Sequence, residues 1–231
     1  MIRQIINKLH SELPAAVKLV AVSKFHPFES IEEAYQAGQR IFAESRPQEL
    51  AAKVKTLEAR RAELGDPSYM ADIEWHFIGH LQTNKLKMVL PYVSLVQSVD
   101  SLRLLEAIEA WGATNNKLIN VLLEPHVAAE QTKQGFEADE IYDILENSAS
   151  YPHICFKGIM GMATFTDDPQ VIHHDFSSIR EIYDEALALN PSLSETFTEL
   201  SIGMSDDYPI AIGYGSTLVR IGSMIFGERN Y

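Results

Sequence analysis

At 231 residues with 46% apolar side chains, the chain can bury a core without disulfide or metal staples, and length alone allows one domain or two. Nineteen Lys plus Arg against 32 Asp plus Glu give a formal charge of −13, which argues against a nucleic-acid partner, because phosphate backbones are gripped by clustered cations. The single cysteine, Cys155, excludes an internal disulfide and a thiolate zinc site and reads as a small buried hydrophobe in a reducing compartment.

Ile2, Ile5, Ile6, Leu9 and Leu13 recur at helical spacing, and the charges between them exclude a secretory segment or a spanning helix. No later stretch reaches membrane length, so a cytoplasmic protein with no membrane partner is expected. After this helix, short β-branched runs alternate with helical patterns. Lys18–Ser23 reads as a strand, followed by a helix from Pro27 to Gly38. Gln39–Ala43 is the second strand, with a helix over Pro47–Leu64. Glu74–Ile78 precedes a helix with Thr83 as its N-cap. Ser94–Ser98 and a helix over Ser101–Ala113 follow, then Leu118–Leu123 and Glu137–Asn147. Ile154–Met160 is followed by Pro169–Leu189, and Thr198–Ile202 by a short helix over Asp206–Ile212. Leu218–Ile221 is the eighth strand. Eight strand–helix units without a linker or repeat predict an α/β fold: a single (β/α)8 TIM-type barrel over residues 1–231, with an extra N-terminal helix.

Chemistry in such barrels sits at the C-terminal strand ends, with phosphate held after strands seven and eight. Among the ten lysines, Lys24 alone directly follows the end of a strand, in Ala21-Val-Ser-Lys24. A partly desolvated amine there is freed for carbonyl attack, although an exposed turn lysine is the commoner use of such a position. Lys8, Lys53, Lys55 and Lys87 fall in helical segments and read as solvated. Ser201, Gly203 and Ser205 at the end of strand seven, with Gly222 and Ser223 after strand eight, form two glycine-and-hydroxyl turns suited to an anion. Arg220, between Val219 and Ile221, should point into the barrel, either paired with Glu199 or Glu44 or facing a ligand. His76 and His80 do not share a helical face, His173 and His174 read as solvated, and no metal site is expected. Asp167, Asp168, Asp206 and Asp207 read as helix-start residues.

Ala21-Val-Ser-Lys24, His76-Phe-Ile-Gly-His-Leu-Gln82 with Asn84-Lys85, Ser98-Val-Asp100, and Leu200-Ser-Ile-Gly-Met-Ser-Asp206 through Val219-Arg-Ile-Gly222 to Ile225-Phe-Gly227 carry a resemblance. The chain resembles the pyridoxal phosphate (PLP) homeostasis proteins, which are related to the N-terminal barrel of alanine racemase. The resemblance implies PLP held as a Schiff base on Lys24, with Arg220 facing the pyridine nitrogen. It implies phosphate contacts from Ser201, Met204, Ser205, Gly222 and Ser223, and counts Ser45 and His80 among the cofactor contacts. The family's Gly-Glu-Asn after strand two is Ala43-Glu-Ser45 here, where Ser45 can still donate a hydrogen bond.

An arginine opposite the pyridine nitrogen leaves that nitrogen unprotonated and weakens the ring as an electron sink. Racemases also need acid–base groups on both faces of the substrate carbon, the second a tyrosine from a β-domain after the barrel. Because this chain ends at Tyr231, just after strand eight, the expectation is a monomeric, non-catalytic PLP carrier. It would serve amino- and keto-acid balance, with PLP-dependent apo-enzymes as its partners and Lys133 as a candidate for transimination. The alternatives are a small PLP enzyme, such as a weak racemase, and a cofactor-free Schiff-base aldolase.

Overall fold

The computed structural model describes residues 1–127 and 135–227. Lys133 and Tyr231 lie outside the described residues. Eight parallel strands close into a barrel in sequence order: β1 (Lys18–Val22), β2 (Ile41–Glu44), β3 (Glu74–Phe77), β4 (Leu95–Val99), β5 (Ile119–Leu123), β6 (Ile154–Met160), β7 (Glu199–Ser201) and β8 (Leu218–Ile221). The seam closes with β8 beside β1, where Val20 pairs with Arg220 and Ala21 with Ile221. The expected (β/α)8 barrel is therefore the observed one, with the helix α1 (Ile2–Glu12) standing before β1.

Two apolar layers result from the alternation of side chains along each strand. Outward residues such as Leu19, Phe42, Phe77, Val121 and Val219 pack beneath the helices. A smaller cluster of Val20, Val22, Ala43, Leu95, Leu122, Met160 and Leu218 fills the barrel axis. The inward row of β1, Val20 then Val22, continues to Lys24, and that of β8 runs Leu218, Arg220, Gly222. Strand parity alone thus brings the amine and the guanidinium to the same interior.

The helices after β1 and β2 are α2 (Phe28–Gln36) and α3 (Pro47–Leu64). Pro at the first turn starts α3, and Gly65 at φ +62° stops it in the left-handed conformation that glycine adopts without strain. Asp168 caps the helix Pro169–Leu189 by accepting from the Gln170 amide. Thr83 is not an N-cap. It opens a 3-10 turn, Thr83–Lys85, that leads into the four-residue helix Leu86–Val89. Cys155 is half-exposed rather than buried, because it sits near the lower, N-terminal end of its strand.

Candidate functional site

The loop after β1 carries Lys24, and a dense set of contacts holds it. The Ser23 amide donates to the Ala43 carbonyl (3.1 Å) and the His26 amide to the Ser23 carbonyl (3.1 Å). Phe25 adopts φ +68°, a left-handed conformation that costs a non-glycine residue about 1 kcal/mol. Its amide donates to Glu49 Oε2 at 2.9 Å, and the Arg46 guanidinium lies 4.4 Å above its ring. The His26 ring stacks on Phe226 at 5.2 Å, which ties this loop to the short helix Ser223–Phe226 after β8.

Beneath the loop lies a buried ionic knot. Lys53, on α3, donates to Glu44 Oε1 (2.6 Å) and to the Ser23 carbonyl (2.8 Å), while the Ser23 hydroxyl donates to the same Glu44 oxygen (2.6 Å). Lys53 is therefore buried, not solvated, because its helical face packs against the end of β2 rather than facing water. Burial pushes the Glu44 carboxyl upward, while Lys53 and the Ser23 hydroxyl pull it back; its second oxygen has no hydrogen-bond partner among the described residues.

Above the strands, Lys24 opens into a cavity of about 270 Å³ whose apolar walls include Val22, Ile78 and Met160. Met204, Ser205, Arg220, Gly222 and Ser223 also line it, so six of the nine expected site residues surround one space. The Ser223 and Ser205 hydroxyls lie 3.1 Å apart, joining the turns after β8 and β7. Gly203, at φ +94°, lets that turn close: a Cβ there would stand 2.6 Å from the Ala211 side chain. Asp206, expected only as a helix-start residue, is also in the lining.

Ser201 does not reach the cavity. It is wholly buried, its hydroxyl accepting from Arg220 (2.7 Å) and donating to Gln97 Oε1 (2.7 Å). Arg220 is held by the Ser201 carbonyl (2.6 Å) and the Gly161 carbonyl (2.9 Å). It pairs with neither Glu199 nor Glu44, because Glu199 is taken by Lys18 at the opposite end of the barrel and Glu44 faces outward to Lys53. Burial lowers the guanidinium to about 10 against the pull of Glu124 and Asp207, so it remains a cation at neutral pH. Glu124, just past β5, is raised to about 7, chiefly by burial and then by Asp100.

Ser45 and His80 are not in the cavity lining either. The Ser45 backbone is crossed so closely by Gly79 that a Cβ on Gly79 would meet the Ser45 carbonyl at 2.1 Å. His80 Nδ1 instead bonds Asp100 Oδ2 at 2.8 Å, in a neighbouring polar cavity that Gln82 and Arg103 share.

An amine, a guanidinium and two hydroxyl-bearing turns around an apolar slot are what a flat, phosphorylated aromatic aldehyde requires, and the cavity approaches the lower end of the roughly 300–1,000 Å³ typical of small-ligand pockets. Comparison with known proteins agrees in kind. Residues 1–230 match the alanine racemase N-terminal domain. A pyridoxal phosphate homeostasis protein of Haemophilus influenzae is 35% identical over 215 residues, covering 93% of this chain and 86% of that one. The chain belongs to the pyridoxal phosphate homeostasis protein family. The human member is 35% identical across all of this chain and 83% of its own. Among solved structures, PipY of Synechococcus elongatus, determined with PLP bound, is 32% identical with a TM-score of 0.86, covering 98% of this chain and all of that one. Alanine racemase of Corynebacterium glutamicum, at 14% identity and a TM-score of 0.69 over 98% of this chain and 60% of its own, shares the fold.

Sequence reading missed the apolar walls, the Lys53–Glu44 knot and the Gln97 link behind Arg220. Parity carries a signal for one of them: Gln97 occupies the inward position of Leu95-Val-Gln97, where an apolar residue is the rule.

Proposed function

We propose that this chain binds PLP covalently through Lys24 and acts as a carrier in PLP homeostasis rather than as an enzyme. The observation that carries the reading is the convergence of Lys24, Arg220, Ser205 and Ser223 on one apolar-walled cavity at the C-terminal end of the barrel. The names of the relatives and the PLP bound to PipY support it.

PLP supplies an electrophilic aldehyde and a ring that can drain electrons from an attached amine. Lys24 provides the nitrogen that attaches it. Ser205 and Ser223, with the backbone freedom of Gly222, provide the anion end, with Met204 beside them; Ser201 acts from behind, by fixing Arg220. Arg220 offers a cationic N–H but gives up no proton, so it orients a ring nitrogen without protonating it. That restrains electron withdrawal and favours storage over turnover. Ser45 and His80 belong to the shell around this site, and delivery from a monomer in the cytoplasm to PLP-dependent apo-enzymes completes the reading. No helix among the described residues is long and apolar enough to cross a membrane.

The test is spectroscopic. Purified protein incubated with PLP should absorb in the visible, lose that band on borohydride reduction, and yield a Lys24-containing adduct on peptide mapping. Lys24→Ala should show no band. A band that survives in Lys24→Ala moves the linkage to another lysine, and rapid α-deuterium wash-in at common amino acids would replace the carrier by an enzyme.

A further inference from the structure

The arginine that faces the cofactor cavity is the upper end of a hydrogen-bond chain that runs down the inside of the barrel. Arg220 donates to Ser201 Oγ (2.7 Å), Ser201 to Gln97 Oε1 (2.7 Å), and Gln97 Nε2 lies 2.8 Å from His76 Nδ1. All four side chains are at most 4% exposed. The direction of the chain is dictated by satisfaction of buried groups. Arg220 is donor only, so the Ser201 hydroxyl must spend its proton on Gln97 Oε1; the Gln97 amide then donates to His76 Nδ1. His76 must therefore carry its own proton on Nε2. Burial holds this imidazole neutral, with a pKa lowered to about 3.

That Nε2–H has no partner among the described residues, and His76 lines a second cavity, of about 240 Å³, at the opposite mouth of the barrel. The cavity is framed by strand starts: Lys18, Glu74, Asn120 and Glu199. Lys18 and Glu199 neutralise each other. Lys157 also faces the cavity, and among the described residues it has no ion-pair partner. Lys157 follows the outward-facing Phe156, so strand alternation turns it into the barrel. Between β5 and β6 the register jumps from Val121–Phe156 to Leu122–Gly158, leaving Lys157 as the extra residue. The bulge depends on Gly158, at φ +149°, where a Cβ would stand 1.7 Å from the Glu199 carbonyl oxygen. His76 and Lys157 thus line one small cavity, the first offering a neutral N–H and the second an ammonium.

We propose that this lower mouth is a binding site for a small monocarboxylate, held between His76 Nε2–H and the Lys157 ammonium. Two lysines and two glutamates line the cavity, so its walls are neutral overall and one negative charge suits it better than two. The carboxylate would accept one hydrogen bond from a neutral imidazole and one charge-assisted bond from the lysine, and Asn120, whose amide nitrogen already donates to the Ser94 carbonyl, would border it.

The probe is acetate, titrated at constant ionic strength against chloride, with the histidine side-chain nitrogen resonances as readout. The His76 Nε2 signal should shift and saturate in the millimolar range. Lys157→Met should weaken that response at least tenfold, and Lys55→Met, on the exposed face of α3, should leave it unchanged. If Lys157→Met does not fold, loss in His76→Gln of the acetate-induced shift at the Asn120 amide serves in its place. A response linear to 100 mM, or one that Lys157→Met leaves intact, overturns the site. Inorganic phosphate binding as tightly as acetate overturns the assignment to a single carboxylate.

Discussion

Removing the Lys53 ammonium while keeping its aliphatic stem, Lys53→Met, tests the claim that the Lys24 loop is anchored by a buried ion pair. In the variant, Glu44 keeps the Ser23 hydroxyl on one oxygen and, among the described residues, no partner on the other, with no exposure to water. A carboxylate so placed escapes by taking up a proton. The cost at pH 7 is then at most the free energy of protonating a group whose ordinary value is 4.5: about 2.5 pH units at about 1.36 kcal/mol each, or about 3.4 kcal/mol. The lost bond from Lys53 to the Ser23 carbonyl adds about 1 kcal/mol. Together these match the roughly 3–5 kcal/mol expected when one partner of a buried pair is removed. The sign with pH follows. A carboxyl raised in the folded state binds more protons there than in the unfolded chain, so the variant loses stability as pH rises and recovers as it falls. At pH 5 the protonation cost shrinks to about 0.7 kcal/mol. Urea unfolding followed by circular dichroism at pH 5 and pH 7 measures both numbers, and Glu44→Gln in the Lys53→Met background should restore most of the pH 7 loss. A Lys53→Met protein within 1 kcal/mol of the parent at pH 7, or equally weakened at both pH values, would refute the buried pair as an anchor.

Ser201→Ala should destabilise by about 1–3 kcal/mol, since it strips the donor from the buried Gln97 oxygen; it should also loosen Arg220 and move the visible band of the PLP-loaded protein, and an unchanged stability and spectrum would remove Ser201 from the positioning of Arg220. Glu124, held up to about 7 by burial, contributes stability that is present below its ordinary value of 4.5 and lost as pH rises through 7. Glu124→Gln should therefore gain stability relative to the parent between pH 4 and pH 8, by an amount on the order of 3 kcal/mol, and a parallel pair of pH–stability curves would contradict the raised value.

The alternation of short β-branched runs with longer amphipathic stretches was enough to count eight units and close the barrel, because side-chain period is a local property of the chain. Lys24 and Arg220 were legible for the same reason: one follows a strand end, and the other interrupts an apolar strand at an inward position. The two glycine-and-hydroxyl turns after β7 and β8 were visible as motifs, and Ser205 and Ser223 do meet. What defeated local reading was distance along the chain. Lys53 looks like any helical lysine until α3 lays it over Glu44, and Ser201 looks like a turn hydroxyl until Gln97, 104 residues away, claims it.

Strand order, inward parity and the lysine at the mouth of the barrel were thus written in the linear chain, since each depends on neighbours within a few residues. Which polar groups satisfy one another was settled only by closure of the sheet, because a buried donor must find an acceptor wherever the fold supplies one. His80 turning to Asp100 instead of the cavity, and Arg220 resting on Ser201 and Gly161 instead of an acid, are both outcomes of that three-dimensional pairing.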